Sequence, residues 1–215
     1  MVWLRNAILL YLMHSNLQIS RTLAKTVQMS APKRTVSAED LQEEWLEVQA
    51  AQQDPAMFRP LYDRYFEPIY LYILRRTADE ALAADICSQV FLKAMQRIGS
   101  YQFKGVPFSA WLYRIASNEV AQHYRKAKKK RVVTLEDAPV AELMEEMQED
   151  GPAEDYMPLL VEVLDQLKEE DLQLIELRFF EGRPYKEIAG IMDITENNAK
   201  VRTFRILNRM KKKMT

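Results

Sequence analysis

The residues best equipped for chemistry lie between Val106 and Arg131, VPFSAWLYRIASNEVAQHYRKAKKKR. Arg114, Asn118, Gln122 and Arg125 recur at i, i+4, i+8 and i+11, which places them on one stripe of a helix. Leu112, Ile115 and Ala116 fall on the opposite, core-directed side. Trp111, Tyr113 and Tyr124 are interleaved. Six cations then follow within seven positions: Arg125, Lys126, Lys128, Lys129, Lys130 and Arg131. Cations hold phosphates and release counterions, while aromatics and amides receive unstacked bases. Trp111 and Tyr113, taken singly, fit core packing better. The polar stripe running without a sign change after Glu119 into the cationic block is not required by folding. Pro107 and Ser109 mark the start, with Ser109 as the expected cap.

A second constellation lies near the C-terminus. A helix over Tyr185 to Met192, a break at Asp193, and a helix from Thr195 to Lys213 have helix-turn-helix spacing. Asp193 occupies the turn position that needs a left-handed backbone, which Asp tolerates. The second helix carries Glu196, Asn197, Asn198, Lys200, Arg202 and Arg205. Asn198, Arg202 and Arg205 fall on one face. Asn198 and Arg202 are suited to base edges, Lys200 and Arg205 to phosphates.

Helical periodicity pervades the chain and Gly is scarce, 5 in 215 residues. An all-α protein is expected. Ser37 with Asp40 caps a short helix through Leu41, Trp45 and Val48. Asp54-Pro55 starts a longer one, which Pro68 should kink or divide. A third starts near Asp79, burying Leu82, Ile86, Val90, Phe91, Met95 and Ile98. Its other face presents Asp85, Ser88, Gln89, Lys93 and Gln96. A helix from Pro158 carries Leu160, Val163, Leu164 and Leu167, and another, Glu170 to Glu181, stops at Gly182.

The net charge of −1 conceals segregated blocks. Val132 to Leu167 holds eleven acids and no Lys or Arg; after Glu196 there are seven cations and no acid. Two polyanion-binding pieces joined by an acidic tether are expected. The boundaries are an N-terminal extension and short helix at 1–53, a helical domain at 54–131, a flexible acidic linker at 132–156 with a transient helix near Val140 to Met147, and a helix-turn-helix domain at 157–215. Single Cys87 excludes an intramolecular disulfide and reads as a buried hydrophobe; His14 and His123 lack metal-ligand spacing. No phosphate loop, metal cluster or nucleophile–base pair is present, so no catalytic residue, metal or cofactor is expected. The apolar run Ala7 to Met13 is too short to span a bilayer, and no small-residue cleavage site follows it. Residues 1–28 are expected to be non-native or disordered, with translation starting at Met29, and the protein cytoplasmic without stable membrane association.

Three longer stretches, DICSQVFLKAM at 85–95, PFSAWLYRIASNEV at 107–120 and RFFEGRPYKEIAGIMDITENNAKVRTFRIL at 178–207, resemble bacterial sigma factors of the extracytoplasmic-function group. The resemblance covers about Pro55 to Lys213, apart from the linker. It implies a sigma region 2 domain that docks on core RNA polymerase through Asp85, Ser88, Gln89 and Gln96. Relatives often carry Gln-Glu where this chain has Ser88-Gln89. It also implies a minus-ten site in which Tyr101, Phe103, Lys104 and Asn118 capture a flipped base. Trp111, Arg114, Gln122, Arg125 and Lys126 would hold the melted strand there. Region 4 would read the minus-thirty-five element through Glu196, Asn197, Asn198, Lys200, Arg202 and Arg205. The linker acids would mimic an RNA backbone in the polymerase channels. Pro184 departs from the Ser often found at the third-helix cap. The implied partners are core RNA polymerase, promoter DNA and an anti-sigma factor. The competing readings are a stand-alone helix-turn-helix regulator and, more weakly, a membrane-tethered one. Residues 107–131 favour the first, because a simple regulator has no use for a strand-capturing helix.

Overall fold

The computed structural model describes residues 36–127, 137–147 and 153–214. Helix α1 (Ala38–Gln53) starts at the expected capping box. Asp40 N–H donates to Ser37 Oγ at 3.0 Å, and Ser37 N–H donates to the Asp40 carboxylate at 3.2 Å. Asp54 caps a 3-10 turn, Pro55–Phe58, accepting from Ala56 N–H at 2.9 Å. Helix α2 (Arg59–Thr77) follows, so the Asp54-Pro55 start is a tight turn leading into the helix rather than its first residues.

Pro68 does not divide α2. An interior Pro costs about 3 kcal/mol. The flanking turns bury Leu61, Phe66, Ile69, Tyr72 and Ile73, and several buried side chains at about 1.5–3 kcal/mol each more than offset that loss. Helix α3 (Glu80–Arg97) is capped by Asp79, which accepts from Leu82 N–H at 3.0 Å. It buries Ile86, Cys87, Val90 and Phe91, while Leu82 and Met95 are only half-buried. Burial pushes the Cys87 thiol far up, so it stays protonated and packs as a small hydrophobe. A 3-10 turn, Ile98–Ser100, and a loop over 101–107 lead to α4 (Phe108–Ala127). Helices α2, α3 and α4 pack mutually, with α1 across their end.

Ser109 is not the cap of α4. It lies within the first turn and is buried. The backbone N–H of Phe108 instead donates to Glu44 Oε2 of α1 at 2.6 Å. A carboxylate from another helix thus supplies what the local sequence was expected to provide.

Helix α5 (Asp137–Glu146) lies within the expected tether and buries Val140, Leu143 and Met144. It packs on α6 (Ala153–Asp165) and on the π-helical turn Glu176–Phe180 that continues α7 (Glu169–Ile175). Helix α6 starts five residues before Pro158, which lies inside it. The rest of the tether, the lysine run from Lys128, and residues 1–28 lie outside the described residues. Helix α8 (Tyr185–Met192) ends at Asp193, whose φ of 60° is the expected left-handed turn. Helix α9 (Glu196–Met214) is capped by Thr195, which accepts from Asn198 N–H at 3.2 Å. Among the described residues there are nine α-helices and no strand, the expected all-α architecture of two helical domains.

A polar seam joins α2 and α4 to the C-terminal helices. Tyr72 and Ser117 hydroxyls pair at 2.7 Å, and Gln173 Nε2 donates to Ser117 at 2.9 Å. Tyr113 donates to Glu181 at 3.0 Å and accepts from Arg183 at 2.8 Å, with the guanidinium 4.4 Å over its ring. Arg76 pairs with Glu169 and with Glu176, and Arg75 pairs with Glu181 at 3.3 Å. Arg114 reaches Asp193 at 3.1 Å. A Cβ on Gly190 would meet Val106 Cγ2 at 3.3 Å, so the close approach of α8 to the loop favours glycine there.

Candidate nucleic-acid interface

Helix α4 is anchored by Leu112, Tyr113, Ala116 and Val120, all buried, which turns its polar stripe outward. Asn118, Gln122, Arg125 and Lys126 are exposed and Arg114 half-exposed. Tyr101 and Lys104 of the loop and Trp111 and Arg114 of α4 border one cleft of ≈ 280 Å³, with Arg97 and Gly190 also in its wall. Asn118 lies one turn beyond Arg114, about 6 Å along the axis at 1.5 Å per residue. The structure therefore gathers the loop residues and Trp111 into a concavity and continues them as a ridge through Asn118 to Lys126. Phe103 is not part of that cleft's lining; it stacks on Trp45 of α1, centroids 5.7 Å apart, and stays partly exposed.

The aromatics sort into two kinds. Trp111 is half-buried, 4.9 Å from the Tyr101 ring and 5.4 Å from Phe108. Tyr113 is core, and Tyr124 donates to the Arg76 carbonyl at 2.8 Å. Tyr113 therefore offers no free ring face along the stripe. Burial, followed by the nearby Glu44 charge, pushes the Tyr101 phenol up to about 12, so it remains a neutral hydroxyl.

In α9 the outermost ridge is Asn197, Val201, Phe204 and Asn208, at i, i+4, i+7 and i+11, with Phe204 67% exposed. Asn198 and Arg205 flank it, both exposed, and Lys200 pairs with Glu196 at 2.6 Å. Arg202 is turned to the side. Its Nε donates to Asp171 at 2.8 Å and its Nη2 to Glu170 at 2.8 Å. Arg209 holds the other Asp171 oxygen at 2.6 Å. Burial alone would raise the Asp171 carboxyl, but the bonds from Arg209 and Arg202 outweigh it and hold it below the usual range. Sequence periodicity missed the apolar members Val201 and Phe204. Their signal was available, two large apolar residues on the polar side of an otherwise regular α9 pattern.

Helix α3 exposes Asp85, Ser88, Gln89 and Gln96 on the face opposite Ile86, Val90 and Phe91. Lys93 at its edge pairs with Glu119 of α4 at 2.5 Å. Among the described residues, no group of three or more His, Cys, Asp or Glu is placed to hold a metal, and no helix is long and apolar enough to cross a membrane.

Comparison with known proteins finds two matched stretches in the chain. Residues 61–130 match the sigma-70 region 2 family and residues 158–210 match sigma-70 region 4. The chain belongs to the sigma-70 family of RNA polymerase sigma factors. Its similarity falls in the extracytoplasmic-function group. It is 33% identical to the sigma factor BldN of Streptomyces coelicolor over 149 residues, 69% of this chain but 56% of that protein. It is 32% identical to the sigma-H factor of Pseudomonas aeruginosa, covering 71% of this chain and 83% of the relative. The fold is similar to that of Bartonella quintana RpoE in complex with the anti-sigma factor NepR. There the TM-score is 0.50 at 18% identity, over 73% of this chain and 95% of that one.

Proposed function

We propose that this protein is a sigma factor that binds core RNA polymerase and directs it to promoters with minus-ten and minus-thirty-five elements. The observation that carries this reading is the pairing, in one chain, of the exposed α4 stripe beside an aromatic cleft with a separate helix-turn-helix. The first suits an unpaired strand and the second a duplex groove.

The residues divide as follows. Tyr101, Phe103, Lys104 and Asn118 capture a base released from the minus-ten stack. Trp111 and Arg114 border that site, and Gln122, Arg125 and Lys126 follow the strand's phosphates. Extruding a base costs a few kcal/mol of stacking, which contacts in such a pocket offset. Glu196, Asn197, Asn198, Lys200 and Arg205 engage the minus-thirty-five duplex, while Arg202, expected among them, holds the reading helix on α7. Asp85, Ser88, Gln89 and Gln96 form the polymerase-docking face. The chain makes no bond itself; the polymerase supplies catalysis, and the setting is the cytoplasm. An anti-sigma partner fits the same scheme, since the Bartonella relative is held in complex with one.

Run-off transcription with a cognate core polymerase and a promoter library tests the reading. A promoter-specific product that requires this chain is expected. Core activity unchanged by its addition, despite demonstrated core binding, refutes it.

A further inference from the structure

Helix α1 precedes the residues that match sigma-70 region 2, yet one face of it spans the whole loop from Ile98 to Phe108. At the loop's start, the Gln52 amide donates both of its protons, to the Ile98 carbonyl at 3.0 Å and to the Tyr101 carbonyl at 2.8 Å. In its middle, the Trp45 ring stacks on Phe103 with planes 23° apart and lies 6.3 Å from Tyr101. At its end, Glu44 takes the Phe108 N–H. Trp45, Val48 and Gln52 follow one another at i, i+3 and i+7, so a single helical face delivers the first two contacts around a buried valine.

A loop with a positive-φ glycine at its tip, Gly105 at φ 70°, has few conformational restraints of its own. Its shape depends on what grips the backbone. We propose that α1 is the back-plate of the minus-ten site, and that Gln52 and Trp45 are positioning residues that set which base the 101–105 loop accepts. They touch the loop rather than the strand. The inference rests on the reading that this loop captures a base.

The test measures open-complex formation by holoenzyme on promoters in which each minus-ten base is substituted in turn. Gln52→Met removes both donors while keeping volume and helix preference. Two ordinary side-chain-to-carbonyl bonds correspond to about tenfold in an equilibrium. The Gln52→Met holoenzyme is therefore expected to lose about tenfold of its discrimination at the captured base. Its affinity for core should match the wild type, while its thermal midpoint falls by a few degrees from the two lost bonds. Trp45→Leu should act in the same direction, and Trp45→Phe should restore discrimination by restoring the ring contact. A merely structural role lowers activity on all promoters alike and leaves the ratios unchanged; that result overturns the proposal. Phe103→Ala and Asn118→Ala serve as reference arms. Should they abolish discrimination while Gln52→Met and Trp45→Leu preserve it, the back-plate fails and base capture stands. Should no variant change discrimination at any base, base capture itself fails and the back-plate with it.

Discussion

Arg202 was expected to read bases, yet it is tied to α7, and its replacement separates anchoring from reading. Its Glu170 arm is a pair with a carboxylate 75% exposed, worth ~0–1 kcal/mol. Its Asp171 arm meets a buried carboxylate at 2.8 Å, where a charge-assisted bond is worth ~1.5–3 kcal/mol. Arg209 still pairs Asp171 after the change, and Arg202 is itself partly exposed, so the lower part of that range applies. Arg202→Ala is expected to destabilise the protein by about 1.5 kcal/mol, or roughly 3–6 °C in Tm for a chain of this size. Asp171→Asn should lose at least as much, because both arginines depend on it. Minus-thirty-five duplex binding, measured by competition at fixed salt, is expected to weaken similarly in Arg202→Ala and Asp171→Asn, with a double mutant little worse than either. An Arg202→Ala protein with unchanged Tm and a tenfold loss of binding that Asp171→Asn does not share would refute the anchoring argument. The pH sign follows from the same site. The Asp171 carboxyl titrates lower when folded, so its contribution is present above the unfolded value near 3.9 and lost as pH falls through the folded one. Wild type should lose stability more steeply than Asp171→Asn below about pH 4.

Glu44→Ala leaves the Phe108 N–H and the Tyr65 hydroxyl without their acceptor and should cost about 3 kcal/mol in denaturant unfolding, whereas Glu44→Gln, which keeps an acceptor, should cost about 1 kcal/mol. Asn118→Ala, at an exposed position, should leave stability within about 0.5 kcal/mol while slowing open-complex formation more than closed binding. Asp193→Val should lower the thermal midpoint because a β-branched residue resists φ near 60°, and Asp193→Gly should not.

Local signals in the sequence carried the element boundaries well. Ser37 caps the helix it was expected to cap, helices start beside Asp79 and Thr195 as expected, and Asp193 adopts the left-handed turn. These depend on neighbours three or four residues away, which periodicity and cap chemistry record. Ser109 failed because its competitor, Glu44, arrives from 64 residues upstream. Arg202 is drawn aside by acids about thirty residues before it for the same reason. The back-plate of α1 was equally invisible: Gln52 meets carbonyls, and a carbonyl leaves no mark in a sequence. Pro68 illustrates the reverse case, a strong local signal overridden by packing on both sides.

The seam between α4 and the C-terminal helices has a thermodynamic consequence. Its named contacts are mostly hydroxyls, amides, guanidinia and carboxylates, with Val106 against Gly190 and the ring of Tyr113 under Arg183 as apolar parts. The polar groups can take water when the seam parts, while the buried rings of Tyr72, beside Leu164, Leu172 and Phe180, and of Tyr113 add a hydrophobic and heat-capacity contribution. Salt and charge substitution should shift its opening through the ion pairs. Promoter elements centred roughly 25 base pairs apart are about 85 Å distant along B-DNA. Surfaces that meet through Arg114 and Asp193 at 3.1 Å cannot engage both at once. The ion pairs of the seam thus allow its opening to be weighed against ion pairing on polymerase and DNA.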